Sequence, residues 1–172
     1  DSGPPQYIEP ARLADTRDEI SRVLGLDGME RLQAVVIGNT ASIKLELQFT
    51  RDDQNRICIE GKLNTCLIME CQRCLRAVNV DIEQRVNVCL AADENESTKL
   101  PGDVEPILMT GKVLSLVSFI EDELLLALPL APNHDTIDCH PKISQISQVS
   151  DDKDRQHPFS VLKDFKLKNS KD

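Results

Sequence analysis

The sequence has no tryptophan, one tyrosine and four phenylalanines, so aromatic residues make up only 3% of its 172 positions. Surfaces that hold single-stranded nucleic acid without regard to sequence stack successive bases on aromatic rings. The scarcity weakens any reading as a platform of that kind. Hydrophobic residues still reach 40%, so the core has to be built from leucine, isoleucine and valine. Long apolar runs are missing as well. None exceeds five residues, as in Leu124 to Leu128, far below the roughly 20 that a membrane helix needs. No basic stretch followed by an apolar one opens the chain, so no secretory signal is expected. Without export, the Asn95-Glu96-Ser97 glycosylation pattern carries no meaning. Glycine-rich phosphate loops are absent too, because Gly111-Lys112 continues into Val113 rather than Ser or Thr.

What is present is acid. There are 29 Asp and Glu against 20 Lys and Arg, a formal charge of −9. Such a surface repels phosphate backbones on average, which disfavours generic nucleic-acid binding and leaves room only for a local basic patch. Six cysteines in a chain without an export signal read as reduced thiols, some of them bound to metal, in preference to a disulfide framework. The length suits one domain, which at this size buries roughly 70% of its unfolded surface.

Along the chain, 1–142 reads as a single α+β domain, 143–157 as a polar flexible linker and 158–172 as a short helical tail. Pro10 suits the first turn of a helix predicted to run to about Leu24, with Leu13, Ile20, Val23 and Leu24 on its apolar stripe and Gly25 as its stop. A short helical turn is predicted over Gly28 to Leu32. From Ile43 the period changes to two: Ile43, Leu45, Leu47 and Phe49 alternate with polar residues, as on a half-buried strand. The polar stretch Arg51 to Arg56 reads as a hairpin turn. A second strand spans Ile57 to Glu70, with Gly61 marking a bulge. The third carries Val78, Val80, Ile82, Val86, Val88 and Leu90 on even positions. Three such strands in sequence predict an antiparallel meander, flat or curled like a barrel. Asp93 to Asp103 reads as an exposed loop, and Pro106 to Met109 as a short edge strand. Ser115 can cap a helix that runs to about Leu128 and stops before Pro129 and Pro132. Its leucine-rich second half predicts deep burial, with the helix covering one face of the meander. In the tail, Phe159, Leu162 and Phe165 form a short apolar stripe, and Arg155 to Lys171 carries five bases and one acid.

Candidate chemistry centres on Cys71-Gln72-Arg73-Cys74. Two cysteines separated by two residues bring their thiolates close enough to grip one zinc ion, which takes about four sulfur or nitrogen ligands. His134 and Cys139, beyond the leucine-rich helix, supply a second pair. The bland alternative is two thiols in a turn and two unrelated loop residues. A redox pair would open a helix, whose N-terminus lowers the thiol pKa, whereas strand-like sequence flanks these cysteines. A catalytic zinc deaminase needs a His-x-Glu box ahead of Pro-Cys-x-x-Cys. Here the cysteines come first, Glu70 replaces the proline, and Asp135 and Thr136 follow His134. Any metal is therefore expected to be structural. Glu121-Asp122-Glu123 have no His, Ser or Lys partner nearby in sequence and read as a solvated face with one acid bonded locally. Cys58, Cys66 and Cys89 fall in strands and read as small core residues. Arg73 and Arg76, together with Lys163, Lys166 and Lys168, are the candidate contacts to RNA or to a protein partner.

Taken together, these residues resemble the family of the large ribosomal RNA subunit accumulation protein YceD. The likeness is carried by Glu70 to Cys74, by Ile120 to Pro132 with His134-Asp135 and Cys139, and by Pro158 to Lys163. Pro10 to Ala14, Leu100-Pro101 and Glu105-Pro106 add to it. The resemblance implies a bacterial cytoplasmic protein needed for the synthesis, processing or stability of 23S ribosomal RNA, with no known enzymatic activity. It implies no catalytic residue. One departure is Ser115, where relatives often have Asp, after a turn one residue longer. The expected role is thus a non-catalytic assembly factor that contacts a ribosomal RNA precursor or a large-subunit ribosomal protein, with no membrane partner, no small-molecule substrate and no cofactor beyond structural zinc. Two alternatives stay open: a zinc-dependent RNA-processing enzyme, and a zinc-stabilised adaptor with no ribosomal role.

Overall fold

The computed structural model describes residues 7–109, 111–135 and 139. The linker and tail expected over 143–172, with Lys163, Lys166 and Lys168, lie outside them. The centre of the fold is the expected meander. Strands β3 (Ile43–Arg51), β4 (Ile57–Glu70) and β5 (Ala77–Ala91) pair antiparallel in sequence order. Alternation puts Ile43, Leu45, Leu47 and Phe49 on the inner face, opposite Ile59, Leu63, Ile82, Val86 and Val88. The Arg51–Arg56 turn forms as expected, with Asn55 in the left-handed region at φ 62° and Asp52 accepting the N–H groups of Gln54 and Arg56.

The predicted helix from Pro10 to Leu24 is two elements. Helix α1 (Pro10–Thr16) ends where Arg17 turns left-handed at φ 53°, and the N–H of Asp18 closes onto the Leu13 carbonyl. Glu19–Leu24 then forms strand β2, an antiparallel edge on β3. Ile20 and Leu24 satisfy a period of two as well as a helical stripe, and the left-handed cap decides between them. Val23, placed on the apolar stripe by the helical reading, is 65% exposed. The short turn over Gly28 to Leu32 is helix α2 (Glu30–Gln33).

Gly61 does not form a bulge, since the register runs through it without interruption. Its backbone instead lies so close to β3 that an added Cβ would fall about 2.0 Å from the Glu46 carbonyl oxygen. The acidic loop after β5 carries a helical turn, α3 (Glu94–Ser97), and returns the chain so that β6 (Glu105–Leu108) pairs parallel to β5. The stretch 92–104 supplies the dozen or so residues that a parallel connection requires. Among the described residues the sheet order β2-β3-β4-β5-β6 is open, with no closed barrel.

Strand β1 (Tyr7–Ile8) pairs with β7 (Leu114–Ser115), which leads into helix α4 (Leu116–Ala127). The Ser115 hydroxyl accepts the Ser118 N–H at 3.3 Å, the expected cap. α4 covers the inner face with Leu116, Phe119, Ile120 and Leu124, each buried. Side chains of this size stabilise by roughly 1.5–3 kcal/mol apiece before entropy is subtracted. The second half of α4 is not buried all round: Leu126 is 73% exposed. The result is the α+β class, one sheet face covered by helices and the other open.

The cysteines depart from expectation in part. Cys58 and Cys89 sit directly opposite each other on β4 and β5, with Cα atoms 4.1 Å apart, and are joined by a disulfide. Cys66 lies exposed on the outer face instead of in the core.

Candidate metal centre

The turn between β4 and β5 is a compact knuckle. The Cys71 N–H donates to the Arg76 carbonyl at 2.8 Å, and the Leu75 N–H to the Cys71 carbonyl at 2.9 Å. Leu75 takes a left-handed conformation at φ 59° to close the turn. The chain leaving α4 is stitched to this knuckle by a hydrogen bond from the Gln72 N–H to the Pro132 carbonyl at 2.8 Å. That bond delivers His134 and Cys139 to the two thiols. Cys71, Cys74 and Cys139 are buried, with Val78 packed against them.

The four predicted ligands converge: their donor atoms lie within 4.8 Å of one another. Cys71 Sγ is 3.5 Å from Cys139 Sγ, and His134 Nδ1 is 3.5 Å from Cys74 Sγ and 3.6 Å from Cys139 Sγ. Tetrahedral zinc with Zn–S near 2.3 Å and Zn–N near 2.0 Å would set these separations at roughly 3.8 and 3.5 Å. The donor set, three thiols and one imidazole, is that of a structural zinc site, and four protein ligands fill a tetrahedral ion with no position left for water or substrate.

The electrostatics divide the cluster in two. Burial pushes the Cys71 thiol up, but backbone N–H groups of Cys74, Arg73 and His134 outweigh it and bring the thiol down to about 5. The Arg76 guanidinium, with Nε 3.4 Å from the sulfur, lowers Cys74. Burial raises Cys139, and the contact with Cys71 raises His134. The lowered thiols of Cys71 and Cys74 suit a cation, and a bound ion would take the place of the protons that Cys139 and His134 hold more tightly without one. Of the predicted contact residues, Arg76 is therefore drawn to the sulfurs, while Arg73 stands exposed at the knuckle tip. Sequence reasoning missed the supporting roles of Arg76 and of the Ala77 carbonyl, which lies 2.9 Å from His134 Nε2.

The acidic triplet of α4 is not a solvated face. Glu121 and Glu123 are buried, and only Asp122 of the three is exposed. Glu121 binds the α2 backbone and Arg31, and Glu123 accepts Gln84 Nε2 at 3.1 Å. Neither belongs to the metal cluster.

The sequence profile of the family described as large ribosomal RNA subunit accumulation protein YceD matches residues 59–166, a stretch that contains all four residues of the cluster. The chain is also similar to the large ribosomal RNA subunit accumulation protein YceD of Haemophilus influenzae, 29% identical over 171 residues that cover 95% of this chain and 97% of that protein. No solved structure matches. The chain belongs to the family of the large ribosomal RNA subunit accumulation protein YceD.

Proposed function

We propose that the protein is a non-catalytic factor of large-subunit ribosome biogenesis, cytoplasmic and bacterial, that supports the synthesis, processing or stability of 23S ribosomal RNA. Family membership supports the ribosomal role. The observation that carries the non-catalytic reading is the completed donor set. Cys71, Cys74, His134 and Cys139 would saturate a zinc ion and hold the β4–β5 knuckle to the chain after α4, supplying rigidity and no open coordination position. The zinc-dependent RNA-processing enzyme would need such a position.

Contact is the remaining task for such a body. Its acidic surface suits a basic ribosomal protein, because opposite charge speeds encounter. Arg73 at the knuckle tip, with Lys163, Lys166 and Lys168 of the 158–172 tail beyond the 143–157 linker, would meet ribosomal RNA precursor. The test is depletion of the protein in its host, followed by measurement of 23S relative to 16S RNA. We expect the 23S fraction to fall, and a Cys71→Ser copy to restore it poorly in proportion to its lowered folded level. A folded, metal-loaded protein whose loss leaves the RNA ratio unchanged would sink the ribosomal role.

A further inference from the structure

A cavity of about 330 Å³ lies where β1, α1 and β2 meet, within the range of small-ligand sites at ~300–1,000 Å³. Ile8, Leu13 and Ile20 give it an apolar floor, and Tyr7, Arg12 and Arg22 stand around it. Three features set it apart from the rest of the surface. First, Tyr7 is the chain's one tyrosine and is 60% exposed, fixed in place by its pairing with Ser115 and by the buried Ile8 beside it. Second, Arg22 pairs with Leu45, which puts it on the core side of the edge strand between Ile20 and Leu24, where the alternation calls for an apolar residue. Third, the ion pairs made by arginines among the described residues use Arg31, Arg51 and Arg56, and leave Arg12 and Arg22 out. Glu9 is the one acid on the lining.

An inward charge on an edge strand also discourages sheet-to-sheet pairing, but that role asks for neither the tyrosine nor the second arginine. An exposed ring beside two unpaired guanidiniums matches a nucleotide: a flat base stacks on the ring, and a phosphate takes charge-assisted hydrogen bonds from arginine. We propose that this pocket binds one nucleotide of an unpaired RNA segment, its base on Tyr7 and its phosphate between Arg12 and Arg22. The inference rests on the ribosomal reading above and gives it a point of RNA contact separate from the knuckle and the tail. A single-nucleotide site also accords with an acidic protein that lacks a stacking platform, since the RNA is gripped at a point and not along its backbone.

The test is fluorescence anisotropy of the full chain with a labelled, unstructured RNA oligonucleotide at several salt concentrations. One stacked base is worth about 1–3 kcal/mol, so Tyr7→Ala should weaken binding by roughly 5- to 150-fold, while Tyr7→Phe keeps most of it. The double variant Arg12→Ala, Arg22→Ala should reduce the salt slope by about 0.7, the share of one phosphate on a single strand. Thermal melts of each variant confirm folding. Unchanged affinity in both the Tyr7→Ala and the double-arginine proteins overturns the proposal, even if RNA still binds through the tail. Displacement of the RNA by AMP at equal concentration would assign the pocket to a free nucleotide and overturn the RNA assignment. Neither result touches the 23S measurement, so the ribosomal role stands or falls separately.

Discussion

His134 presents its Nε2 to the carbonyl oxygen of Ala77, 2.9 Å away, and its Nδ1 to the sulfurs of Cys74 and Cys139. Because a carbonyl only accepts, Nε2 carries the proton in the neutral ring and Nδ1 keeps its lone pair toward the sulfurs. A backbone acceptor behind the ligating ring is the arrangement that fixes a metal-bound histidine.

We therefore expect one zinc per purified chain by elemental analysis, and a cobalt-substituted protein with the visible absorption of a tetrahedral thiolate site. Cys71→Ser or Cys74→Ser should lose the metal and lower the melting temperature by on the order of 10 °C, since about 1 kcal/mol moves a domain of this size by roughly 2–4 °C. Metal-free wild type with the same melting curve as the loaded protein would contradict the structural role.

A second relationship crosses the fold. Glu121 on α4 accepts the N–H groups of Arg31 and Leu32 at 2.8 and 3.0 Å through one oxygen, and the Arg31 side chain at 2.6 Å through the other. Burial pushes this carboxyl up, but those donors outweigh it and hold the group below its usual range. Glu121→Ala leaves two peptide donors without their acceptor, and we expect a loss of about 2–4 kcal/mol in urea denaturation. Arg31→Ala should cost clearly less, because the Arg31 side chain is 54% exposed and the backbone donors remain. Equal losses in the two variants would show that the peptide donors contribute nothing.

The meander was legible because β3 to β5 alternate over many residues and only one register buries their apolar side chains. The Cys71–Cys74 half of the cluster was legible from its spacing, whereas its convergence with His134 and Cys139 depends on the path of the chain after α4. Strand β2 was not, since a single left-handed residue, Arg17, separates a helical reading of Leu13 to Leu24 from the observed helix and strand. The burial of Glu121 and Glu123 was equally hidden. Their partners stand 89 or 90 and 39 residues away, and a local reading cannot see them. Parallel β6 depends on the path of the loop before it, which carries acids and no periodic signal. The Tyr7 pocket is assembled from three elements, one of them misread as helix.

Gly61 gives a steric prediction. Its Cα faces the Glu46 carbonyl, and a Cβ would meet that oxygen at 2.0 Å and the Leu47 Cα at 3.0 Å. Both obstacles are backbone, so neither can rotate away. Gly61→Ala should destabilise by at least ~3 kcal/mol, at the upper end of overpacking effects, although alanine ordinarily does better than glycine in strands. A melting temperature equal to that of wild type would mean that β3 and β4 separate there at little cost.

The last prediction sets two carboxylates of one helix against each other. Burial raises the pKa of Glu123, with Gln84 offsetting it only in part and the charges of Glu105 and Asp122 adding to it, whereas Glu121 is lowered. An acid with a raised folded pKa holds its proton more tightly folded than unfolded. Its effect on stability therefore worsens as pH rises from the usual 4.5 through the raised value, and the penalty is complete above it. Glu121 has the opposite sign: its contribution is full above 4.5 and is lost as pH falls through its lowered value. Glu123→Gln keeps the shape and removes the charge. It should stabilise the protein at pH 7 by on the order of 1 kcal/mol, the scale of a buried group left imperfectly satisfied, and the gain should vanish in acid, where wild-type Glu123 is itself neutral. Urea denaturation of both proteins from acid to neutral pH reads this directly. A variant less stable than wild type at pH 7 would mean that the ionised Glu123 is held by its hydrogen bond to Gln84 more strongly than its burial penalises it.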